Sequence, residues 1–223
     1  MKTFIRHSER LDLVNKMKWK KSKRYKENKY DTPITRNGVK IAEKSINKLL
    51  KLGYNNINYL YSSPFSRCIE TCLVLKKEIK KKLNKDIKIR IEYGLCEIKF
   101  SKILFNNDKF KYNKTEKYLD DKLKLENIIK RYGNNFDLKY KSKYKFEDIN
   151  FEKEELSFFN RCINIYKKIK NLNGVIACTH SKVLFGIYSY LKKQNINWKN
   201  YSMVAKEYCS IVLKDKSKIK LIN

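Results

Sequence analysis

Histidine is almost absent from this chain: its 223 residues include two, His7 and His180. Any chemistry that needs an imidazole near neutral pH must draw on those two residues. Proline and glycine are scarce as well, at two and six residues, which excludes a Pro/Gly-rich linker or a collagen-like segment and makes each of them informative as punctuation. The six cysteines (Cys68, Cys72, Cys96, Cys162, Cys178 and Cys209) form no CxxC pair. A zinc site or a disulfide framework is therefore not expected, and they read as small buried hydrophobes in a reducing compartment. No apolar run approaches the length of a membrane-spanning helix, and the N-terminus lacks the apolar core of a signal peptide. A soluble, cytoplasmic protein without a membrane partner is expected.

Negative charge is also in short supply, with 23 acidic residues against 53 lysines and arginines, for a net charge of +30. Only eight of those cations are arginines, and the lysines are spread through the chain beside abundant Asn, Ile and Tyr. A nucleic-acid module would concentrate arginine and stacking aromatics in a basic stripe. The excess reads instead as a solvated lysine coat, which argues against a nucleic-acid partner and still attracts anionic substrates.

What is present is an alternation of strand and helix signals. In "DTPITRNGVKIAEKSINKLLKLG", Thr35 is the expected N-cap, Val39, Ala42, Ile46, Leu49 and Leu50 form a helical stripe, and Gly53 ends it. "INYLYSSPFSRCIETCLVL" reads as a strand over Ile57–Tyr61 followed by a helix, with Ser63 as N-cap, Pro64 as the first helical residue and Phe65, Ile69, Cys72, Leu73 and Ile79 buried. Ile87, Ile89 and Ile91 alternate as in a half-buried strand. Residues 99–148 are polar and weakly periodic, and are expected to form an insertion or lid with one helical piece near Tyr118–Ile129. An amphipathic helix ending by Gly174, the buried strand "GVIACTH", the helix "SKVLFGIYSYLKK" and a closing hairpin complete the chain. The whole of 1–223 is expected to be one α/β domain, a three-layer sandwich whose mostly parallel central sheet is flanked by helices.

The chemistry-bearing residues fall just beyond strand C-termini, the edge at which open α/β sheets bind ligands. His7 follows "TFI", Arg67 follows "INYLYSSP", Glu97 follows "IKIRIEYGL" and His180 follows "GVIACT", with Arg6 and Arg10 flanking His7. A lone histidine after a strand is more often structural than catalytic; both histidines on one rim with three guanidiniums is a different matter. Guanidinium forks match phosphoryl oxygens, and a helix N-terminus near Arg67 adds backbone donors. A neutral imidazole beside a bound phosphate can attack phosphorus, and a carboxyl group such as Glu97 can protonate the leaving oxygen and then activate water.

"RHSER", "TPITRNG", "YSSPFSRCIET", "YGLCEI" and "CTHS", in that order, resemble the motifs of the histidine phosphatase superfamily, the phosphoglycerate-mutase-like family. "FIRHSERLD", "RIEYGLCEI" and "NNFDLKYKSKY" are most similar to its branch of ecdysteroid-phosphate phosphatases and suppressor-of-T-cell-receptor-signalling phosphatases. The resemblance implies a phosphoglycerate-mutase-like fold and a phosphoric monoester hydrolase that needs no metal or other cofactor. It implies that His7 is the phosphorylated nucleophile and Glu97 the proton donor. It also implies that Arg6, Arg10, Arg67 and His180 bind the phosphoryl group of a small-molecule or phosphoprotein substrate, His180 also stabilising the transition state.

Two positions depart from the pattern. Ser8 stands where the signature carries glycine, and Ile41 where many relatives carry glutamine, the latter read as a packing change. Two other functions remain open on the residues alone: a catalytically weak module that binds phospho-ligands or RNA, and a phosphoglycerate mutase. The segment that recognises a second phosphate group in the cofactor-dependent mutases has no counterpart here. Ser181 also replaces the aspartate that the acid-phosphatase branch places after its second histidine.

Overall fold

Phe4 and Ile5 are adjacent in sequence and both fully buried, which a strand achieves only when both faces of its sheet are covered. A computed structural model of the chain, which describes residues 1–97, 121–150, 155–194, 204–205 and 207–222, shows how. Six strands, β1 (Lys2–Arg6), β2 (Tyr59–Ser62), β3 (Ile89–Ile91), β4 (Val175–Thr179), β5 (Ile211–Asp215) and β6 (Lys218–Ile222), form one sheet in the order β3-β2-β4-β1-β5-β6. The first four are parallel, and β5 and β6 close the sheet as an antiparallel hairpin. Ile5, Leu60, Ile176 and Cys178 face α4 (Arg36–Lys51) and α5 (Ser66–Leu83), while Phe4, Tyr61, Val175 and Ala177 face α8 (Glu155–Ile169) and α9 (Ser181–Leu191). This is the expected three-layer sandwich. All six cysteines are buried within it, and none of them forms a disulfide.

Helix α4 starts as its sequence dictates: the Thr35 hydroxyl accepts from the Gly38 N–H at 2.8 Å. Ile41 packs against the core on its flank, so the departure there is a matter of packing. Helix α5 does not start where the sequence suggests. Its first residue is Ser66 and its N-cap is Phe65, which offers no side-chain acceptor. The cap comes from far away in sequence: the buried Asp31 carboxylate accepts from the Ser66 N–H and hydroxyl, both at 2.6 Å, and pairs with Arg131 at 3.0 Å. Ser63 is unavailable for capping because its N–H donates to the Cys178 carbonyl and its hydroxyl meets His180. Asp31→Ala is therefore expected to cost about 2–3 kcal/mol, since it removes a helix cap and one side of a half-buried ion pair. An unchanged urea midpoint would contradict that role.

Three short helices, α1 (Leu11–Val14), α2 (Lys16–Lys21) and α3 (Lys23–Glu27), follow β1. Asn15 and Ser22 cap the second and third. Of the segment expected as an insertion, residues 98–120 lie outside the described residues, and with them the start of the helical piece expected near Tyr118. Residues 121–148 pack onto the body. A 3-10 turn at Asp121–Leu123 leads into α6 (Leu125–Tyr132), and a short α7 (Phe146–Asn150) follows. Ile128 and Phe136 are buried in the core. The chain at Phe136 bridges to Ile89, and Asp137 pairs with Arg90 at 2.8 Å, covering the open edge of β3.

Candidate active site

The sheet register brings the two histidines together. Strands β1 and β4 are adjacent and parallel with Arg6 opposite Thr179, so the next residue on each strand is a histidine. The His7 N–H donates to the Thr179 carbonyl at 2.8 Å. The rings lie 5.4 Å apart between centroids, and their residues are 3% and 0% exposed. His7 Nδ1 is 2.8 Å from the Ser8 carbonyl. A carbonyl can only accept, so Nδ1 carries the proton and Nε2 is left with the lone pair.

Arg67, in the first turn of α5, links the rest. Its Nη1 donates to the Tyr30 carbonyl at 3.0 Å and its Nη2 to His180 Nδ1 at 3.1 Å, with the guanidinium over the Phe65 ring. Its Nε is buried and has no hydrogen-bond partner. Since His180 Nδ1 accepts from a guanidinium, His180 Nε2 carries the ring proton and donates to the Ser63 hydroxyl at 2.9 Å. Both nitrogens of His180 are thus engaged with protein groups, and a phosphoryl oxygen reaches this ring only by exchange with one of them.

Arg6 donates to the Ala205 carbonyl at 2.9 Å and lies over the Tyr208 ring, which is itself 6.3 Å from His7. Arg10 is paired along its Nε–Nη2 edge with Asp12, so its local carboxylate holds the fork that a phosphate would otherwise meet. Its charge still acts on both histidines. Glu97 is half-buried just past the 3-10 turn Tyr93–Leu95, on the α9 side. Burial pushes the Lys182 amine of α9 below its ordinary value, and the Glu97 carboxylate opposes that shift.

Ser8 does not crowd the histidines. Its hydroxyl donates to the Gly38 carbonyl at 2.6 Å and its N–H to the Thr71 hydroxyl at 2.9 Å, which directs the side chain toward the start of α4. That contact needs close approach: a Cβ on Gly38 would sit 2.9 Å from the Glu9 carbonyl oxygen. The hydroxymethyl in place of a hydrogen thus ties the loop after β1 to a second element.

Burial, then the charge of Arg67, hold both imidazoles well below the ordinary 6.5; Arg6 adds to this for His7, and His7 itself for His180. Both rings are therefore neutral at pH 7. In the unfolded chain they titrate near 6.5, so below that pH the unfolded chain binds more protons and stability falls as pH falls. A urea midpoint lower at pH 5.5 than at pH 7.5, with the difference reduced in His180→Asn, is expected; a pH-independent difference between the two proteins would contradict it.

Several contributors were not legible as such. Ser63 carries a helix-cap signal but serves His180; Tyr208 gave no signal, because its role depends on contacts made only in the fold. Among the described residues, no group of three or more His, Cys, Asp or Glu side chains is placed to hold a metal ion, and no helix is long and apolar enough to cross a membrane.

Comparison with known proteins agrees with this architecture. The profile of the histidine phosphatase superfamily (branch 1) matches residues 3–116. An uncharacterized phosphoglycerate mutase family protein of Acanthamoeba polyphaga mimivirus is 39% identical over 72 residues, which cover 32% of this chain and 34% of that relative. The chain thus matches about a third of the length of this curated relative. The tungstate complex of the ecdysone phosphate phosphatase from Bombix mori superimposes with a TM-score of 0.67 at 19% identity, covering 99% of this chain and 91% of that one. The Entamoeba histolytica phosphoserine phosphatase in complex with 3-phosphoglyceric acid gives 0.52 at 17% identity, covering 99% and 94%. At these identities the two structures show a shared fold.

Proposed function

Because this chain belongs to the histidine phosphatase superfamily (branch 1), we propose that it is a phosphoric monoester hydrolase that works through a covalent phosphohistidine on His7, without a metal ion. The observation that carries this reading is the tautomer of His7. Its Nδ1–H is tied to the Ser8 carbonyl, so Nε2 keeps a lone pair beside His180 and the guanidiniums. In the first step Nε2 attacks phosphorus, the ester P–O bond breaks, and the leaving oxygen takes a proton from the Glu97 carboxyl. In the second step water attacks phosphorus and gives its proton to the Glu97 carboxylate; the P–N bond breaks, and its electron pair returns to Nε2 as phosphate leaves.

Arg67, in the first turn of α5 and bonded to His180, has an unpartnered Nε with which to take a phosphoryl oxygen. Arg6 and Arg10 add field, the latter tempered by Asp12. When a dianion binds, it offsets the arginine charges that, after burial, hold His180 neutral, and His180 can then carry a proton to the developing negative charge. The substrate class we propose is a phosphorylated small molecule or phosphoprotein. An RNA ligand is disfavoured because seven of the eight arginines are engaged within the protein: Arg24, Arg90 and Arg131 in ion pairs, and Arg6, Arg10, Arg67 and Arg161 around the site.

Purified protein treated with a chelator is expected to release inorganic phosphate from p-nitrophenyl phosphate at an undiminished rate. The rate should plateau from neutral pH to below 6.5 and fall only where His7 becomes protonated, well below its ordinary pKa. Loss of turnover on chelation would contradict the metal-free mechanism. Isomerisation of phosphoglycerate without phosphate release would replace the hydrolase with a mutase.

A further inference from the structure

The 3-10 turn that delivers Glu97 ends in three consecutive carbonyls, and side chains hold all three. Arg161 Nη1, from α8, donates to the Gly94 carbonyl at 2.7 Å and the Cys96 carbonyl at 2.8 Å. The Thr179 hydroxyl, at the end of β4, donates to the Leu95 carbonyl between them at 2.8 Å. Carbonyls at the end of a helical turn ordinarily turn to water or a following cap. Here Arg161 is 3% exposed and Thr179 0% exposed, so the donors are built in, and one is a permanent cation whose hydrogen bonds to carbonyls are charge-assisted.

The approach is close by construction. A Cβ on Gly94 would lie 2.3 Å from Ile165 Cδ1 and 2.8 Å from Tyr144 Cδ2, so the turn lies flush against α8. Ile165 stands one turn after Arg161 on the same face of that helix. The other side of the turn is fixed as well: the buried Glu92 carboxylate accepts from the Gly94 and Lys143 N–H groups and the Ser142 hydroxyl. Thr179 immediately precedes His180, so the element that carries one active-site group also braces the turn that carries the other.

We propose that Arg161, with Thr179, is a positioning residue that fixes the backbone presenting Glu97 to the leaving-group oxygen. The proposal rests on the reading of Glu97 as proton donor. A general acid matters most when the leaving group is a poor one, and misplacing it should cost an alkyl phosphate far more than a nitrophenyl phosphate. A residue that merely supports the fold would lower both alike.

The test compares kcat and KM for p-nitrophenyl phosphate and β-glycerophosphate in wild type, Arg161→Met, Arg161→Lys, Thr179→Val and Glu97→Gln. Arg161→Met is expected to lower kcat for β-glycerophosphate by roughly 10²-fold and for p-nitrophenyl phosphate by less than about 3-fold, with KM little changed. Arg161→Lys should restore much of the loss. If Arg161→Met fails to fold, Thr179→Val, which removes the middle donor, should show the same selectivity in weaker form. Equal losses on both substrates in these variants, while Glu97→Gln keeps its preference for the good leaving group, would overturn the positioning role alone. A Glu97→Gln enzyme indifferent to the leaving group would remove the proton-donor reading, and the proposal with it.

Discussion

His7→Ala is expected to lower kcat/KM for an aryl phosphate by roughly 10⁵-fold, the scale seen when a nucleophile is removed from a covalent mechanism. The size of the effect follows from what is lost. Arg67, Arg6 and His180 would remain in place, and His7 is neutral, so the field that draws a phosphate dianion is undiminished. What disappears is the Nε2 lone pair, which the bond from Nδ1–H to the Ser8 carbonyl leaves available for attack. Inhibition by inorganic phosphate should therefore stay within about 3-fold of wild type, because the permanent charges that bind it are unaltered. Parallel loss of phosphate binding and turnover would mean that the ring serves to build the pocket. Turnover close to wild type would remove His7 from the chemistry altogether.

The second large effect is expected at Arg67. Replacing it with methionine removes the unpartnered Nε, the hydrogen bond to His180 Nδ1 and the charge that, after burial, most strongly holds both imidazoles down. Loss of a preorganised charge-stabilising group costs about 2.7–4 kcal/mol of barrier, or 10²–10³ in kcat. The sign of the pH effect is fixed as well. Without the guanidinium both histidine pKa values rise toward 6.5, the neutral fraction of His7 at pH 6 falls, and the acid limb of the rate profile moves to higher pH. Arg67→Lys keeps a charge but not the fork and should fall between. A methionine variant with the wild-type acid limb would show that the guanidinium does not set these ionisations.

Much of this site was legible in the chain, for identifiable reasons. Thr35 caps α4 because its partner, Gly38, is three residues away, and local bonds of this kind are written in local sequence. Both histidines reach one rim because each follows a buried strand, and the parallel register of β1 and β4 does the rest. Non-local bonds were not legible. Asp31 caps α5 from 35 residues away, which moved the expected helix start from Pro64 to Ser66 and freed Ser63 for His180. Arg161 sits in an amphipathic helix where an arginine ordinarily faces water; only the packing of α8 against Gly94 turns it toward two carbonyls. Arg10 has the opposite history: its motif points to phosphate, and Asp12, two residues on, pairs with it first.

The central claim is that His7 Nε2 bonds to phosphorus during turnover. Mixing the protein with excess aryl phosphate, quenching in alkali to preserve any P–N bond, and sequencing its peptides by mass spectrometry tests it directly. One phosphoryl group is expected on the peptide that contains His7, assigned to that residue, acid-labile, and absent from His7→Ala. Steady release of phosphate with no such adduct, or with the phosphoryl group on another side chain, would contradict it.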